Sequence, residues 1–201
     1  NVSMRSRTYL EWESTAWVVS TILDQLDTCS LEALGTIFNA VVTGRLCTSV
    51  DRLLVMSPTD GSLVAVYFTI LSSFTPLFRV TAKSSDRLQS LMNKVFLFML
   101  YKKDGETMSV CEDTKAARKK AHSTFIRMAT KMSDLLLPYL QEIMNKAGQL
   151  MANGVLMDME ISFLFEAMTA ISNRLTVADQ TTFCETLLGP AVLPWSQEMV
   201  K

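Results

Sequence analysis

The chain has 201 residues, 49% of them apolar, with 19 basic residues against 20 acidic ones. This length is sufficient for one large domain or two small ones with a buried core, and the balanced charge excludes a globally cationic nucleic-acid binder. Any nucleic-acid role therefore requires a local basic patch. Four widely spaced cysteines and a single histidine argue against a zinc site and suit a reducing cytosolic or nuclear compartment. We expect no metal and no cofactor.

The N-terminal part of the chain predicts helices separated by short turns. Residues 8–26 form the first helix, Ser30 caps a second that ends near Gly44, and residues 50–56 add a turn or two. The candidate packing positions of the first helix are Leu10, Trp17, Val18, Ile22 and Leu26.

Ser57 followed by Pro58 predicts the start of a third helix that runs to about Phe78. Residues 61–78 carry no charge, which is close to the lower limit for a membrane-spanning helix. The stretch also contains five serine or threonine residues and a proline, so we interpret it as a helix buried between neighbours. Ser84 or Ser85 caps a fourth helix that ends at about Tyr101.

The second half of the chain follows the same pattern after a polar loop at residues 102–113. Asp113 or Thr114 starts the fifth helix, and Pro138 starts or bends the sixth, which runs to about Ala152. Asn153 and Gly154 close the sixth helix. The remaining predictions are a seventh helix over residues 158–173 and an eighth from about Thr176 that Pro190 kinks or ends.

No segment shows the two-residue alternation of a strand, so the sequence predicts an all-α fold. Residues 88–94 resemble residues 140–146, and residues 32–39 resemble residues 166–173, the latter pair lying about three repeats of 40–47 residues apart. We therefore expect an α-solenoid of about four HEAT-like antiparallel helix pairs. Residues 1–201 would form one segment of a larger superhelix, without a separate domain, cut from a longer protein.

The fifth predicted helix carries the strongest functional signal. Six basic residues and no acid lie between Lys115 and Lys131. At about 100° per residue, the apolar side chains gather on one side of the helix and several basic ones on another. The apolar positions are Ala117, Ala121, Phe125, Met128 and Met132. The candidate phosphate-contacting residues on the basic side are Lys115, Arg118, Lys119, His122 and Ser123. A solvated helix face and a nuclear localisation signal remain alternative interpretations.

An enzyme is not expected. No nucleophile and orienting acid can be placed beside His122, and the chain contains no Gly-rich phosphate loop, no H-E-x-x-H and no G-x-S-x-G.

Three blocks of the sequence resemble exportins of the importin-β (karyopherin) superfamily. They are an L-E-W-E stretch within residues 8–13, the basic helix of residues 115–128 with the Leu-Pro turn at residues 137–138, and residues 159–173. Their order matches, and the second half of the chain carries most of the similarity.

The resemblance implies a HEAT-repeat nuclear export receptor that shuttles between nucleus and cytoplasm. Such a receptor binds Ran-GTP, mainly outside this segment, contacts nucleoporins, and carries double-stranded stem RNA with a 3′ overhang, notably pre-microRNA. Lys119 and Ser123 stand where the family presents a basic and a hydroxyl residue. Asp158 stands where an amide-bearing residue is expected, and a carboxylate facing phosphate is unfavourable.

Two other functions stay open at this point. An α-solenoid scaffold or armadillo-type adaptor would share the fold and bind only protein. A membrane-embedded or ligand-binding helical bundle would depend on the uncharged residues 61–78.

Overall fold

The computed structural model describes residues 43–81, 85–103 and 111–199, together with residues 10–11, 13–14, 17–18, 21–23, 25, 33 and 36. Within these ranges the regular elements are helices, with no strand, which confirms the predicted all-α fold. The helices are α1 (Thr43–Val55), α2 (Gly61–Ser73), α3 (Thr75–Thr81), α4 (Ser85–Met99), α5 (Glu112–Lys131), α6 (Ser133–Leu136), a 3-10 turn (Leu137–Tyr139), α7 (Leu140–Ala152), α8 (Asp158–Ser172) and α9 (Val177–Met199).

Several helix boundaries agree with the sequence because local capping groups determine them. Helix α7 ends at Ala152, and the N–H of its cap Asn153 donates to the Gln149 carbonyl oxygen at 3.1 Å. Gly154 follows with φ of 63°, a left-handed conformation that glycine adopts without strain. The carboxylate of Glu160 accepts the Met157 N–H at 2.9 Å at the start of α8.

Other boundaries differ from the prediction. Gly44 lies in the first turn of α1 instead of ending a helix, and α9 continues to Met199, so Pro190 does not end it. Helix α2 begins at Gly61, and its cap is Asp60, not Ser57. The Asp60 carboxylate accepts the N–H groups of Ser62 and Leu63 at 3.0 and 3.3 Å.

The connection from α1 to α2 remains non-helical because the side chains of Lys94 on α4 and of Tyr101 just after α4 bind its polar groups. Lys94 Nζ donates to the Met56 carbonyl oxygen at 2.8 Å and to Ser57 Oγ at 2.9 Å. The Tyr101 hydroxyl donates to the Thr59 carbonyl oxygen at 2.6 Å. These bonds satisfy the backbone in place of another helical turn.

The uncharged stretch of residues 61–78 divides between two helices at Phe74. Helices α2 and α3 have 13 and 7 residues, and Pro76 lies in the first turn of α3. Within the described ranges, no helix has both the length and the apolar character that crossing a membrane requires.

The chain divides into two compact units, Asn1–Met128 and Ala129–Lys201. An aromatic cluster lies in the core of the first unit. Tyr67 and Phe98 each lie near Phe68, with ring centroids 5.1 and 5.4 Å from it. The Tyr67 hydroxyl donates to the Leu53 carbonyl oxygen at 3.0 Å, which ties α2 to α1. In the second unit α8 packs against α6, α7 and α9, so helices that follow one another in the chain pack together, as in a helical solenoid.

The first predicted helix is only partly described, and its packing face differs from the prediction. Leu10, Val18 and Ile22 are exposed, Trp17 is 69% exposed, and Leu23 is buried instead. Leu26 lies outside the described residues.

Candidate nucleic-acid interface

Helix α5 is positioned by a face of small and apolar side chains. The predicted packing residues Ala117, Ala121, Phe125 and Met128 are all buried. The Phe125 ring lies 5.4 Å from that of Phe96 on α4, measured between centroids. The alanines allow close helix approach, and burying the four apolar side chains removes their surface from water. These contacts fix the orientation of α5 about its own axis.

The side chain of Thr124 adds a polar contact on the same buried side. Its hydroxyl lies 2.9 Å from the Lys120 carbonyl oxygen and 3.3 Å from the Phe68 carbonyl oxygen. Phe68 belongs to α2, so this hydroxyl lies at the contact between two helices. This polar contact therefore adds to the apolar contacts that fix the orientation of α5.

The structure separates the five predicted phosphate-contacting residues into two groups. Lys115, Lys119 and Ser123 are exposed, whereas Arg118 and His122 retain only 7% and 1% of their accessible surface. The Nδ1 atom of His122 lies 2.8 Å from the Arg118 carbonyl oxygen. The basic side predicted from the sequence therefore includes both exposed and buried residues of α5.

The exposed face of α5 is rotated relative to the face that the sequence suggested. At about 100° per residue, the exposed and half-buried positions span an arc of about 160° with Ser123 near its centre. Lys120 and Arg127 are half-buried members of this arc, and Lys131 at the end of α5 is exposed. We call Lys115, Lys119, Lys120, Ser123 and Arg127 the basic arc. The angular position of the apolar residues Ala117, Ala121 and Phe125 around the helix is the sequence signal that locates the basic arc.

The exposed cations of the basic arc differ in their pairing. Lys115 Nζ lies 2.7 Å from Glu112 Oε1. The hydrogen bond to this carboxylate and its charge raise the pKa of Lys115. Lys119 and Lys120 form no ion pair within the described part of the chain. No acid occurs between residues 114 and 131, so Lys119 and Lys120 also have no carboxylate near them on their own helix.

Comparison with known proteins identifies the family of the chain. The family model described as the Exportin-5 family matches residues 1–201. The chain is similar to exportin-5 of Mus musculus, with 24% identity over 204 residues, and to exportin-5 of Homo sapiens, with 24% identity over 209 residues. These matches cover 99% and 98% of this chain.

The chain belongs to the Exportin-5 family. The resemblance to exportins is thereby confirmed, and the chain spans 16% of the length of the two curated relatives, so it is a fragment of a larger protein.

Two polar residues of this Exportin-5 family segment have local structural roles in addition to any contact with a ligand. Ser123 Oγ donates to the Lys119 carbonyl oxygen at 2.8 Å, so the hydroxyl must rotate before it can donate to a phosphate. Asp158 is exposed in the first turn of α8, where a carboxylate interacts favourably with the helix dipole. Its expected unfavourable effect on a phosphate contact stays a prediction.

Proposed function

We propose that this chain is a segment of a Ran-GTP-dependent nuclear export receptor that carries double-stranded stem RNA with a 3′ overhang, such as pre-microRNA. Family membership over the whole chain is the observation that carries the proposal. The basic arc of α5 supports it, because an exposed cluster of cations on a near-neutral chain suits a phosphate-bearing partner.

Lysine and arginine side chains of the basic arc would contact the RNA backbone without reading its sequence. Each contact releases counterions, so affinity falls steeply as salt rises. Lys119 and Lys120 carry most of this role because no carboxylate of the described residues pairs with them. Lys115 contributes less, since contact with a phosphate competes with its bond to Glu112.

The buried members of the predicted site have a different role in this proposal. Arg118 and His122 lie beneath the basic arc and orient α5. Direct contact between either side chain and a phosphate would require α5 to rotate out of its packed position. We therefore assign phosphate contact to the basic arc and keep Ser123 as a hydroxyl donor at its centre.

Binding of Ran-GTP and of nucleoporins would lie mainly in other parts of the longer protein. GTP hydrolysis on Ran would release the cargo in the cytoplasm, so this chain supplies a binding surface and no catalysis. The protein would shuttle between nucleus and cytoplasm.

The proposal is tested on the full-length protein with a labelled stem RNA that has a 3′ overhang. Retention of this RNA is measured with and without Ran loaded with a non-hydrolysable GTP analogue, with a blunt stem as the matched control. We expect Ran-GTP to increase retention and the overhang to strengthen it. Salt-insensitive binding of protein partners, with no RNA retained in either state, would instead identify a protein-binding scaffold.

A further inference from the structure

The exposed face of α7 carries side-chain amides at regular spacing. Gln141, Asn145, Gln149 and the C-terminal cap Asn153 follow one another every four residues, and all four are exposed. Because positions four apart are about 40° apart around a helix, the four side chains lie within an arc of about 120°. We call these four residues the amide ridge.

Packing of the opposite face holds the amide ridge outward. Leu140, Ile143, Ala147 and Leu150 of α7 are buried, and α7 packs against α8 within the second unit. The Asn153 N–H and the left-handed Gly154 complete a capped end to the helix. The ridge is therefore part of a packed helix with a defined orientation.

Most of the hydrogen-bonding capacity of the amide ridge is not used within the chain. Gln141 Nε2 donates to Asn145 Oδ1 at 3.1 Å. The side-chain amides of Gln149 and Asn153 make no hydrogen bond within the described residues. Since each amide has two donors and one acceptor, the ridge presents both kinds of group to a ligand.

The charge and shape of this face distinguish it from the basic arc. Its charged members are Glu142 and the half-buried Lys146, which have opposite signs. A Cβ built on Gly148 would meet nothing within 4 Å, and the neighbouring Ala152 is exposed and small. A ligand surface can therefore approach the helix closely, and the ridge offers hydrogen bonds without net charge.

We propose that the amide ridge reads the ribose 2′-hydroxyl groups of a duplex stem RNA. This inference rests on the proposed RNA-binding function and names the feature by which RNA is distinguished from other nucleic acids. A 2′-hydroxyl both donates and accepts hydrogen bonds, and the wide, shallow minor groove of A-form RNA displays these groups to protein side chains. An uncharged amide face complements ribose hydroxyls, whereas phosphates favour cations.

The test uses the full-length protein and the double variant Asn145→Ala/Gln149→Ala. Affinity is measured for a stem RNA and for the same stem with 2′-O-methyl groups, which keeps the duplex and removes the hydroxyl donors. We expect the wild-type protein to favour the unmodified stem. The double variant is expected to bind that stem about tenfold more weakly, to bind the methylated stem unchanged, and to keep its salt dependence.

Glu142→Gln is the matched control on the same face. It removes a negative charge and is expected to strengthen binding of both stems alike. Circular dichroism of each variant checks that the helices are retained. Equal weakening of both stems by the double variant, or no effect on either, would overturn the inference while leaving RNA binding intact. If the double variant loses a protein partner and keeps its affinity for RNA, the inference is overturned as well. A wild-type protein that binds neither stem would overturn the proposed function itself.

Discussion

Gly61 at the start of α2 lies directly against the backbone of Asp113 at the start of α5. A Cβ atom built on Gly61 would be 2.9 Å from both the Cβ and the carbonyl oxygen of Asp113. Real Cβ atoms essentially never make such short contacts, so only glycine fits here without a shift of the backbone. The N-terminus of α5 can therefore lie this close to α2 only because residue 61 has no side chain.

Replacing Gly61 by alanine is expected to destabilise the chain by about 1–3 kcal/mol, because the added methyl group would displace the Asp113 backbone. The measurement is the shift in the urea midpoint at constant m-value. Gly148→Ala is the matched control, since nothing lies within 4 Å of its Cβ position. In that helix interior, alanine is expected to stabilise by about 0.5–1 kcal/mol. Similar shifts for both variants would contradict the account of Gly61.

Removing the Tyr67 hydroxyl tests the contact between α2 and α1. Tyr67 is fully buried and donates to the Leu53 carbonyl oxygen at 3.0 Å. Tyr67→Phe is expected to destabilise by about 1 kcal/mol, because the carbonyl loses a buried donor while the ring keeps its packing. Burial raises the pKa of this phenol well above its ordinary value, so the loss should be the same from pH 6 to pH 9. A loss that varies across this range would count against a simple hydrogen-bond role.

The ion pair between Asp51 and Arg87 predicts a pH-dependent contribution to stability. Arg87 Nε donates to Asp51 Oδ1 at 2.7 Å and Arg87 Nη2 to Oδ2 at 3.0 Å. Hydrogen bonding from Arg87 holds the pKa of Asp51 below its ordinary value of 3.8, slight burial opposes this, and the Arg87 charge adds to the lowering. A carboxyl group whose pKa is lowered by folding contributes stability at pH values above its ordinary pKa. That stability is lost as the pH falls through the lowered pKa.

Asp51→Asn is therefore expected to cost about 0.5–1 kcal/mol at pH 7, a small value because the pair is largely exposed. The free energy of unfolding of both proteins is measured between pH 7 and pH 2.5. The difference should stay constant down to about pH 5 and shrink below pH 4. A difference that grows in acid would have the wrong sign.

Two neighbouring basic residues of α5 are expected to differ in how much stability they lose on replacement by alanine. Arg118 is 7% exposed, so Arg118→Ala should destabilise by about 1–3 kcal/mol through lost packing of its stem and lost polar contacts. Lys119 is exposed and should tolerate the change within about 0.5 kcal/mol. The urea midpoints of the two variants, measured side by side, decide this. Equal stability of both would contradict the orientation of α5.

The sequence predicted the end of α7 and the start of α8 closely because their caps are local. Asn153 with Gly154 at the end of α7, and Glu160 at the start of α8, act within a few residues of the boundary they define. The sequence predicts the start of α2 too early because residues distant in the chain hold the segment before it. The bonds from Lys94 and Tyr101 that hold the preceding segment come from about 40 residues further along the chain.

The orientation of α5 could be predicted only in part. The sequence predicted this helix and its buried apolar residues, but it grouped the basic residues by charge and not by their angle from the buried side. Arg118 and His122 lie within the buried arc once Ala121 and Phe125 fix the orientation of α5. The same angular argument adds Lys120 and Arg127, which the charge pattern alone did not single out.

The salt dependence of stem RNA binding tests the central claim most directly. The full-length protein and its Lys119→Ala/Lys120→Ala variant are compared at several salt concentrations, and the logarithm of affinity is plotted against that of salt. If the basic arc contacts phosphates, the variant binds more weakly and its slope is smaller by about two. An unchanged affinity and an unchanged slope would show that this face of α5 does not contact the RNA.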